Sequence, residues 1–239
     1  ANGLQYQKQP YLLHENYNYY LWNLKEGLPD MIVTQDNVWS THFLTTVPSG
    51  QPFHFYHKDI DLKFNSKTLF DTLYLRFEKT TDGDKEYFRF YHNDYPIRRN
   101  ISVTLKPELV YNRAKTHAYS VYGKKLNFQG GEWTEEGLKF YTRDLVKFTL
   151  AEDYGPPTVT PVKLKSDKII VLIDDRMSGI KKYNAYINGA WLLMKYDAKR
   201  RRLESQPQTL NKQLDGEFIL KVSDNAGNER TYIKTINSK

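Results

Sequence analysis

Short runs in which apolar and polar residues alternate recur through most of the chain. Alternation at every second position puts the apolar side chains of a strand on one face, whereas a helix repeats every three to four residues. Upstream of residue 153 such runs lie at residues 60–64, 73–77, 86–91, 101–105 and 146–150. This pattern predicts a β-sandwich domain over residues 51–153.

The C-terminal part alternates in the same way and carries a hairpin signal. Asn188-Gly189 lies between two alternating runs, and a type I′ turn there requires positive φ at both positions. Further strands are expected at residues 168–173, 191–196, 218–222 and 229–236. About five to seven strands in this segment predict an immunoglobulin-like β-sandwich over residues 158–239.

Two prolines mark the boundary between these units. Asp153 is followed by Tyr-Gly and then by Pro156-Pro157, and paired prolines remove backbone donors, so a central strand cannot continue through them. Residues 1–50 are less regular, with strands expected at 16–24 and 38–46, and they are either the remainder of a preceding domain or additional strands. Helix is expected only as one turn near Glu26. The chain is thus predicted to be all-β, with two consecutive β-sandwich domains.

Composition narrows the possible classes of function. Hydrophobic residues make up 39% and charged residues 26% of the chain, which is typical of a globular protein without a membrane span. The absence of cysteine excludes disulfides, thiolate zinc sites and cysteine nucleophiles. Lys and Arg produce a net charge of +7 but are dense only at residues 199–202, so we expect no nucleic-acid partner.

Two acidic loops follow apolar runs near the C-terminus. Oxygen atoms of Asp174, Asp175 and Asp224 would suit calcium if they met at one end of the sandwich. The alternative is that these side chains cap their own backbone turns, with Gly179 and Gly227 supplying positive φ. Because neither loop has the dense spacing of an EF-hand, the turn interpretation is favoured over a calcium site.

A zinc site is suggested by one short spacing and by little else. His57 and Asp61 match H-x-x-x-D, and His54 lies three residues earlier. A hydrolytic zinc ion needs a third protein ligand, and no H-x-H follows. An edge strand with half-exposed imidazoles is therefore the favoured interpretation. Since no G-x-S-x-G elbow or phosphate loop occurs either, we assign no catalytic residue and no metal ligand or cofactor.

The four tryptophans could form part of a sugar-stacking surface. We assign Trp39 and Trp133 as candidate glycan-binding residues. We expect Trp191, beside the Asn188-Gly189 turn, to pack into the core, as most large aromatic side chains of sandwiches do.

The C-terminal motifs resemble those of a known family. The strings DDRMSGIKKYNAYINGAWLLMKYDAKRRRL and KVSDNAGN resemble the C-terminal immunoglobulin-like domain of Gram-negative envelope proteins, the lysostaphin-type (LytM-like) zinc endopeptidases. The stretches YYLWNLKEGLPD and FDTLYLRF resemble the preceding β region of such proteins. The C-terminal pattern occupies Asp174, Asp175, Ser178, Gly179, Ile180, Asn188, Gly189, Trp191, Tyr196, Asp197, Asp224, Asn225, Gly227 and Asn228.

The resemblance implies a role without catalysis by this chain. The family's catalytic domain carries H-x-x-x-D with an internal glycine and a later H-x-H, and this sequence has neither in that form. The implied function is that of an accessory region, downstream of a zinc domain, which positions or regulates peptidoglycan cleavage. The implied partner is that peptidase domain or cell-wall glycan, and the implied location is the periplasm or cell surface. Zinc is expected only in the catalytic domain outside this chain.

Two other functions stay open. A glycan-binding module for peptidoglycan or an extracellular polysaccharide would expose a short row of aromatic side chains on one face. A glycoside hydrolase or lyase would need a cleft with carboxyl groups of shifted pKa, and no motif singles out such a pair.

Overall fold

The structure is a computed structural model that describes residues 6–9, 19–22, 31–33, 37–41, 43–206 and 213–237. Every regular element in these ranges is a β-strand, which confirms the all-β prediction. The helical turn expected near Glu26 lies outside the described residues. No helix that could cross a membrane occurs in the part of the chain that the structure describes.

The strands up to residue 152 belong to the first sandwich and to the segment before it. In chain order they are β1 (Tyr6–Gln9), β2 (Tyr19–Trp22), β3 (Met31–Val33), β4 (Val38–Ser40), β5 (Thr45–Val47), β6 (Phe53–Tyr56), β7 (Ile60–Phe64), β8 (Leu73–Leu75), β9 (Phe77–Asp82), β10 (Lys85–His92), β11 (Ile101–Leu105), β12 (Thr116–Tyr122), β13 (Lys125–Gly130), β14 (Glu132–Trp133), β15 (Leu138–Thr142) and β16 (Leu145–Glu152).

Two five-stranded antiparallel sheets form the first sandwich. One has the order β13-β12-β16-β10-β9 and the other β14-β15-β11-β7-β6. Their inner faces meet in a core in which Phe90 and Phe140 each lie edge-to-face with the fully buried Phe148. Burial of an aromatic or branched side chain contributes about 1.5–3 kcal/mol, so this core is the main source of stability.

The first 75 residues also contribute three two-stranded sheets. They pair β1 with β2, β3 with β4, and β5 with β8. Val47 of β5 is fully buried in the core of the first sandwich. Residues 45–47 therefore act as additional strand residues of this unit, which was one of the two alternatives for the first fifty residues.

Eight strands form the second sandwich, more than the five to seven expected. They are β17 (Thr158–Lys165), β18 (Lys168–Asp174), β19 (Ile180–Ile187), β20 (Ala190–Leu192), β21 (Met194–Asp197), β22 (Arg202–Ser205), β23 (Gly216–Asp224) and β24 (Glu229–Ile236). The expected strand at 191–196 divides at Leu193, and β22 lies in a basic stretch whose apolar alternation is weak.

The sheet orders β17-β18-β22-β21 and β20-β19-β23-β24 give the second sandwich an immunoglobulin-like topology. Strands β17, β18, β21 and β22 correspond to A, B, D and E, and the other sheet contains the C, F and G strands with one extra edge strand. The predicted hairpin turn is confirmed, because Asn188 has φ 48° and Gly189 has φ 77°.

Candidate functional site

The two sandwiches meet at Asp153, the first residue after β16. Asp153 is 2% exposed. Its Oδ1 accepts a hydrogen bond from the Gly155 N–H (3.0 Å), and its Oδ2 accepts one from the Ser178 N–H (3.1 Å), in the loop after β18. One carboxylate thus fixes the start of the connecting segment and a loop of the second sandwich.

A second set of bonds ties the loop between β23 and β24 to the first sandwich. The Asn228 Nδ2 donates to the carbonyl oxygen of Asp153 over 3.0 Å. The Lys115 ammonium group donates to the Ala226 carbonyl oxygen (3.0 Å) and to the Asn228 Oδ1 (2.6 Å). Ala226 is 3% exposed, so water has little access to its side of this contact. We call the region of Lys115, Asp153, Ser178, Ala226 and Asn228 the joint.

Three carboxylates converge at the joint. Asp153, Asp175 and Asp224 each offer an oxygen within 4.8 Å of the other two. Asp153 and Asp224 are buried and Asp175 is half-buried. Burial raises the pKa of Asp175, and the charges of Asp153 and Asp224 raise it further, although the Gly179 and Met177 N–H groups oppose the shift. The cluster therefore concentrates negative charge where water is scarce.

Tyr119 and His117 of β12 face the second sandwich beside this cluster. They alternate with Ala118, which points into the first core, so they lie on the outer face of their sheet. Tyr119 is fully buried, and its hydroxyl has no hydrogen-bond partner among the described residues. Burial raises the pKa of Tyr119, and the charges of Asp153, Asp175 and Asp224 add to that effect.

The structure places the three acidic residues predicted from the sequence in two different settings. Asp175 and Asp224 lie together with Asp153, whereas the Asp174 carboxylate turns away and binds the Arg201 guanidinium at 2.6 Å. The loops also contain the expected turn chemistry. The Asp175 Oδ1 accepts hydrogen bonds from the N–H groups of Met177 and Gly179, and Gly179 has φ 76°.

The histidines of the H-x-x-x-D spacing are engaged separately. The His54 Nε2 lies 2.9 Å from both carboxylate oxygens of Asp61. The His57 Nδ1 accepts a hydrogen bond from the Asp59 N–H over 3.2 Å. His54 lies within the edge strand β6 and His57 directly follows it, in keeping with the edge-strand interpretation. Of the described residues, only Asp153, Asp175 and Asp224 form a group of three or more potential ligands close enough to share an ion.

A cleft of about 320 Å³ lies beside His57 and contains a nearly buried lysine. The Lys79 ammonium group binds the Glu86 Oε1 (3.0 Å), the Glu108 Oε1 (3.2 Å) and the Asp59 Oδ1 (3.5 Å). Burial by itself lowers the pKa of Lys79, but these three carboxylates outweigh it and raise the pKa. Glu86 also accepts the N–H groups of Glu108 and Leu109, so the network holds the loop after β11. Its geometry indicates a structural role.

The candidate glycan-binding tryptophans lie in different settings. Trp133 is half-buried against the first core, and its Nε1–H donates to the Thr116 carbonyl oxygen over 3.1 Å. The Arg113 guanidinium lies 5.2 Å from its ring centre. Trp39 belongs to β4, where its backbone pairs with Ile32, and its side chain lies outside the described part of the structure. Glycan binding by either residue stays a prediction.

Trp191 was expected in the core, and this expectation is wrong. It is 56% exposed. Strand pairing places Trp191 beside Tyr186, Tyr186 beside Ile219, and Ile219 beside Ile233, which is 57% exposed. These four residues, which we call the outer apolar row, cross all four strands on the face opposite the second core. Leu192, the next residue of β20, points into the second core, so alternation along the strand turns Trp191 to the outer face.

Sequence reasoning missed Asp153, Tyr119 and the outer apolar row. Asp153 was noted only as the start of the segment that leads to the paired prolines, and nothing in the local pattern linked it to loops about 25 and 75 residues away. The alternation of β12 assigns Tyr119 to the outer face but does not show that a second sandwich covers it. The aromatic and β-branched residues of the row were visible, but their alignment depends on strand register.

One family profile matches the first sandwich, and one solved structure aligns with nearly the whole chain. The profile of a family described as "Zu5-like domain" matches residues 45–153, which is less than half of the chain. No curated protein matches the chain. Among solved structures, a chain described as a polysaccharide lyase aligns with 99% of this chain at 11% sequence identity and a TM-score of 0.26. The alignment spans 40% of that lyase chain.

The fold and the contacts at the joint together describe a structural class. The chain is a β-rich module of two sandwiches, the first with the match to a Zu5-like domain and the second immunoglobulin-like. Buried polar contacts at Asp153 and Asn228 connect the two.

Proposed function

We propose that this chain is the non-catalytic positioning region of a cell-envelope peptidoglycan metalloendopeptidase in a Gram-negative bacterium. The observation that carries this proposal is the joint, where Asp153 bonds to the second sandwich through both its side chain and its carbonyl oxygen. A region that holds two attached surfaces at a set distance and angle needs a rigid connection, because a flexible linker leaves their orientation free.

The sequence motifs supply the link to the peptidase family. The acidic pair at Asp174, the Asn188-Gly189 turn and the Asp224 to Asn228 loop all belong to the pattern that resembles its C-terminal domain. In the structure these motifs form turns and joint contacts. A sequence pattern that builds turns and joint contacts suits an architectural role, and it needs no reacting atom.

Cleavage of sacculi by the isolated chain tests the non-catalytic part of this proposal. Purified chain, with added zinc, is incubated with peptidoglycan sacculi, and soluble peptides are quantified. We expect release equal to that of a heat-inactivated control. Release above that control, abolished by a chelator, would overturn the proposal.

Cleavage by a peptidase that carries this region tests the positioning part. Asp153→Ala is expected to slow cleavage of intact sacculi severalfold but to leave cleavage of a short soluble peptide unchanged, because only the large substrate depends on domain orientation. Asp167→Ala is the matched control, since the Asp167 side chain is exposed and contacts only Lys163 among the described charged groups. Equal effects on both substrates would contradict positioning.

The outer apolar row favours a second candidate function, the binding of a glycan. Trp191 and Tyr186 lie side by side, and the next outward-facing positions along the sheet include Asn184 and Lys221. An aromatic surface bordered by hydrogen-bonding groups is suited to stacking against a sugar ring. Trp133, one of the two tryptophans predicted from the sequence, lies instead on the first sandwich.

Co-sedimentation with sacculi distinguishes the candidates. A glycan-binding face predicts that Trp191→Ala reduces the bound fraction at least severalfold, whereas Tyr141→Ala, which removes a similarly exposed aromatic from the first sandwich, does not. Trp133→Ala is a poor probe, because removal of a core-packed ring changes folding as well. Retention that is unchanged by Trp191→Ala would exclude this face.

A further inference from the structure

We propose that Asp153, Asp175 and Asp224 bind one divalent cation of the calcium type at the joint. This inference goes beyond the positioning role, because a joint held by hydrogen bonds alone could position the sandwiches equally well. The ligands come from both units: Asp153 follows the last strand of the first sandwich, and the other two lie in loops of the second.

The spacing of the carboxylates suits such an ion. One oxygen of each lies within 4.8 Å of the others. Two oxygens bound to one calcium ion at roughly 2.4 Å are at most about 4.8 Å apart, and calcium accepts carboxylate, carbonyl and water oxygens in a flexible arrangement.

The charge of the cluster lacks a protein counterion. None of the three carboxylates forms an ion pair in the described part of the chain. Lys115 lies at the joint, yet its ammonium group donates to the Ala226 carbonyl and the Asn228 side chain. Buried carboxylates that are close together and unpaired are costly, and a bound cation removes that cost.

Tyr119 gives a second and independent indication of a ligand. Its hydroxyl is fully buried and has no hydrogen-bond partner among the described residues. Strand register places it on the same outer face of the first sandwich as Asp153, since Tyr119 pairs with Thr149 and the Asp153 N–H bonds to the Lys115 carbonyl oxygen. A cation with its coordinated water would give this hydroxyl a partner, which buried polar groups in proteins nearly always have.

Backbone donors already hold the carboxylates in place. The Asp175 Oδ1 accepts hydrogen bonds from the N–H groups of Met177 and Gly179. Its Oδ2 accepts no hydrogen bond from the described residues. The Asp224 Oδ1 takes the Asn228 N–H over 2.8 Å. A carboxylate oxygen has two lone pairs, so an oxygen with one donor can still coordinate a metal. The ligands are thus oriented before the ion binds.

Calorimetric titration and thermal unfolding test the proposal on the full chain. The chain is dialysed against EGTA and then titrated with calcium chloride, with magnesium chloride in parallel. We expect one calcium per chain and a rise in Tm of roughly 5 °C or more at a hundredfold excess over Kd. The wild-type result does not depend on the folding of any variant. Absence of both a binding isotherm and a Tm shift would overturn the proposal.

Two isosteric variants locate the ion. Asp175→Asn keeps an acceptor for Met177 and Gly179 but removes a charge, and we expect it to weaken calcium binding at least tenfold. Asp174→Asn changes the neighbouring residue, whose carboxylate faces Arg201, and should leave binding within twofold. Equal losses in the two variants would place the ion elsewhere and overturn the assignment. If calcium does not bind, the sacculus assays still test the positioning role. The failure of one proposal can therefore be told from the failure of the other.

Discussion

The Asp153 carboxylate accepts a hydrogen bond from the backbone N–H of Ser178 at 3.1 Å, between residues that belong to different sandwiches. Both partners are buried, at 2% and 1% exposure. A buried charge-assisted bond of this kind contributes about 1.5–3 kcal/mol, and loss of one partner leaves the other unsatisfied. The polar groups of Asp153 and Ser178 therefore contribute directly to the relative placement of the two units.

Removal of Lys79 should destabilise the first sandwich strongly. Lys79→Met leaves Glu86, which is fully buried, without its counterion, and we expect a loss of about 3–5 kcal/mol in the free energy of unfolding. The double variant Lys79→Met/Glu86→Gln removes both charges and should recover part of that loss. Urea denaturation measures both. A double variant that is as unstable as the sum of the single variants would contradict coupling between these residues.

Stability should fall in mild acid through His92. The Nε2 of His92 accepts the Arg76 N–H over 2.9 Å and must be unprotonated to do so. Burial, and then the charge of Arg76, lowers the pKa of His92 to about 4, against about 6.5 in the unfolded chain. Since the folded pKa is the lower one, the full contribution is present above pH 6.5 and is lost as the pH falls towards 4.

The expected loss through His92 is about 1–3 kcal/mol over this pH range, because the ring is only partly buried. The measurement is the free energy of unfolding against pH for the wild type and for His92→Gln, which keeps a neutral acceptor. The variant should show a flatter curve between pH 6.5 and 4. Parallel curves would show that other groups cause the acid sensitivity.

Gly137 should tolerate no side chain. Its φ is +148°, and a Cβ there would lie 2.1 Å from the Leu105 carbonyl oxygen, which is part of the backbone and cannot move aside cheaply. We expect Gly137→Ala to cost about 2–4 kcal/mol. Gly83→Ala is the matched control: its φ is +60° and nothing lies within 4 Å, so about 1 kcal/mol of backbone strain remains. Similar melting temperatures for the two variants would refute this steric explanation.

The local pattern of apolar and polar residues predicted the strands in which these residues alternate clearly. The run at 229–236 and the Asn188-Gly189 turn appear in the structure as expected, because period-2 burial and turn chemistry are properties of neighbouring residues. Strand β22, within a basic stretch, was not predicted, because its pairing with β18 is decided by partners about 30 residues away.

The candidate sites depended on contacts that the sequence does not display. Asp174 and Asp175 are adjacent and chemically alike, yet one faces Arg201 and the other faces Asp153. The partner of each carboxylate is determined only when the two sandwiches pack against each other. Trp191 is exposed because the register of β20 against β19 places Leu192 beside the core residue Ala185 and leaves Trp191 on the opposite face.

The distance between the two sandwiches in solution tests the rigid joint most directly. The chain contains no cysteine, so Lys124→Cys in the β12–β13 turn and Lys199→Cys in the β21–β22 turn, both exposed, would carry the only two spin labels. Pulsed electron spin resonance should give one narrow distance distribution, which Asp153→Ala broadens and Asp167→Ala leaves unchanged. A distribution that is already broad with Asp153 intact would contradict a positioning role.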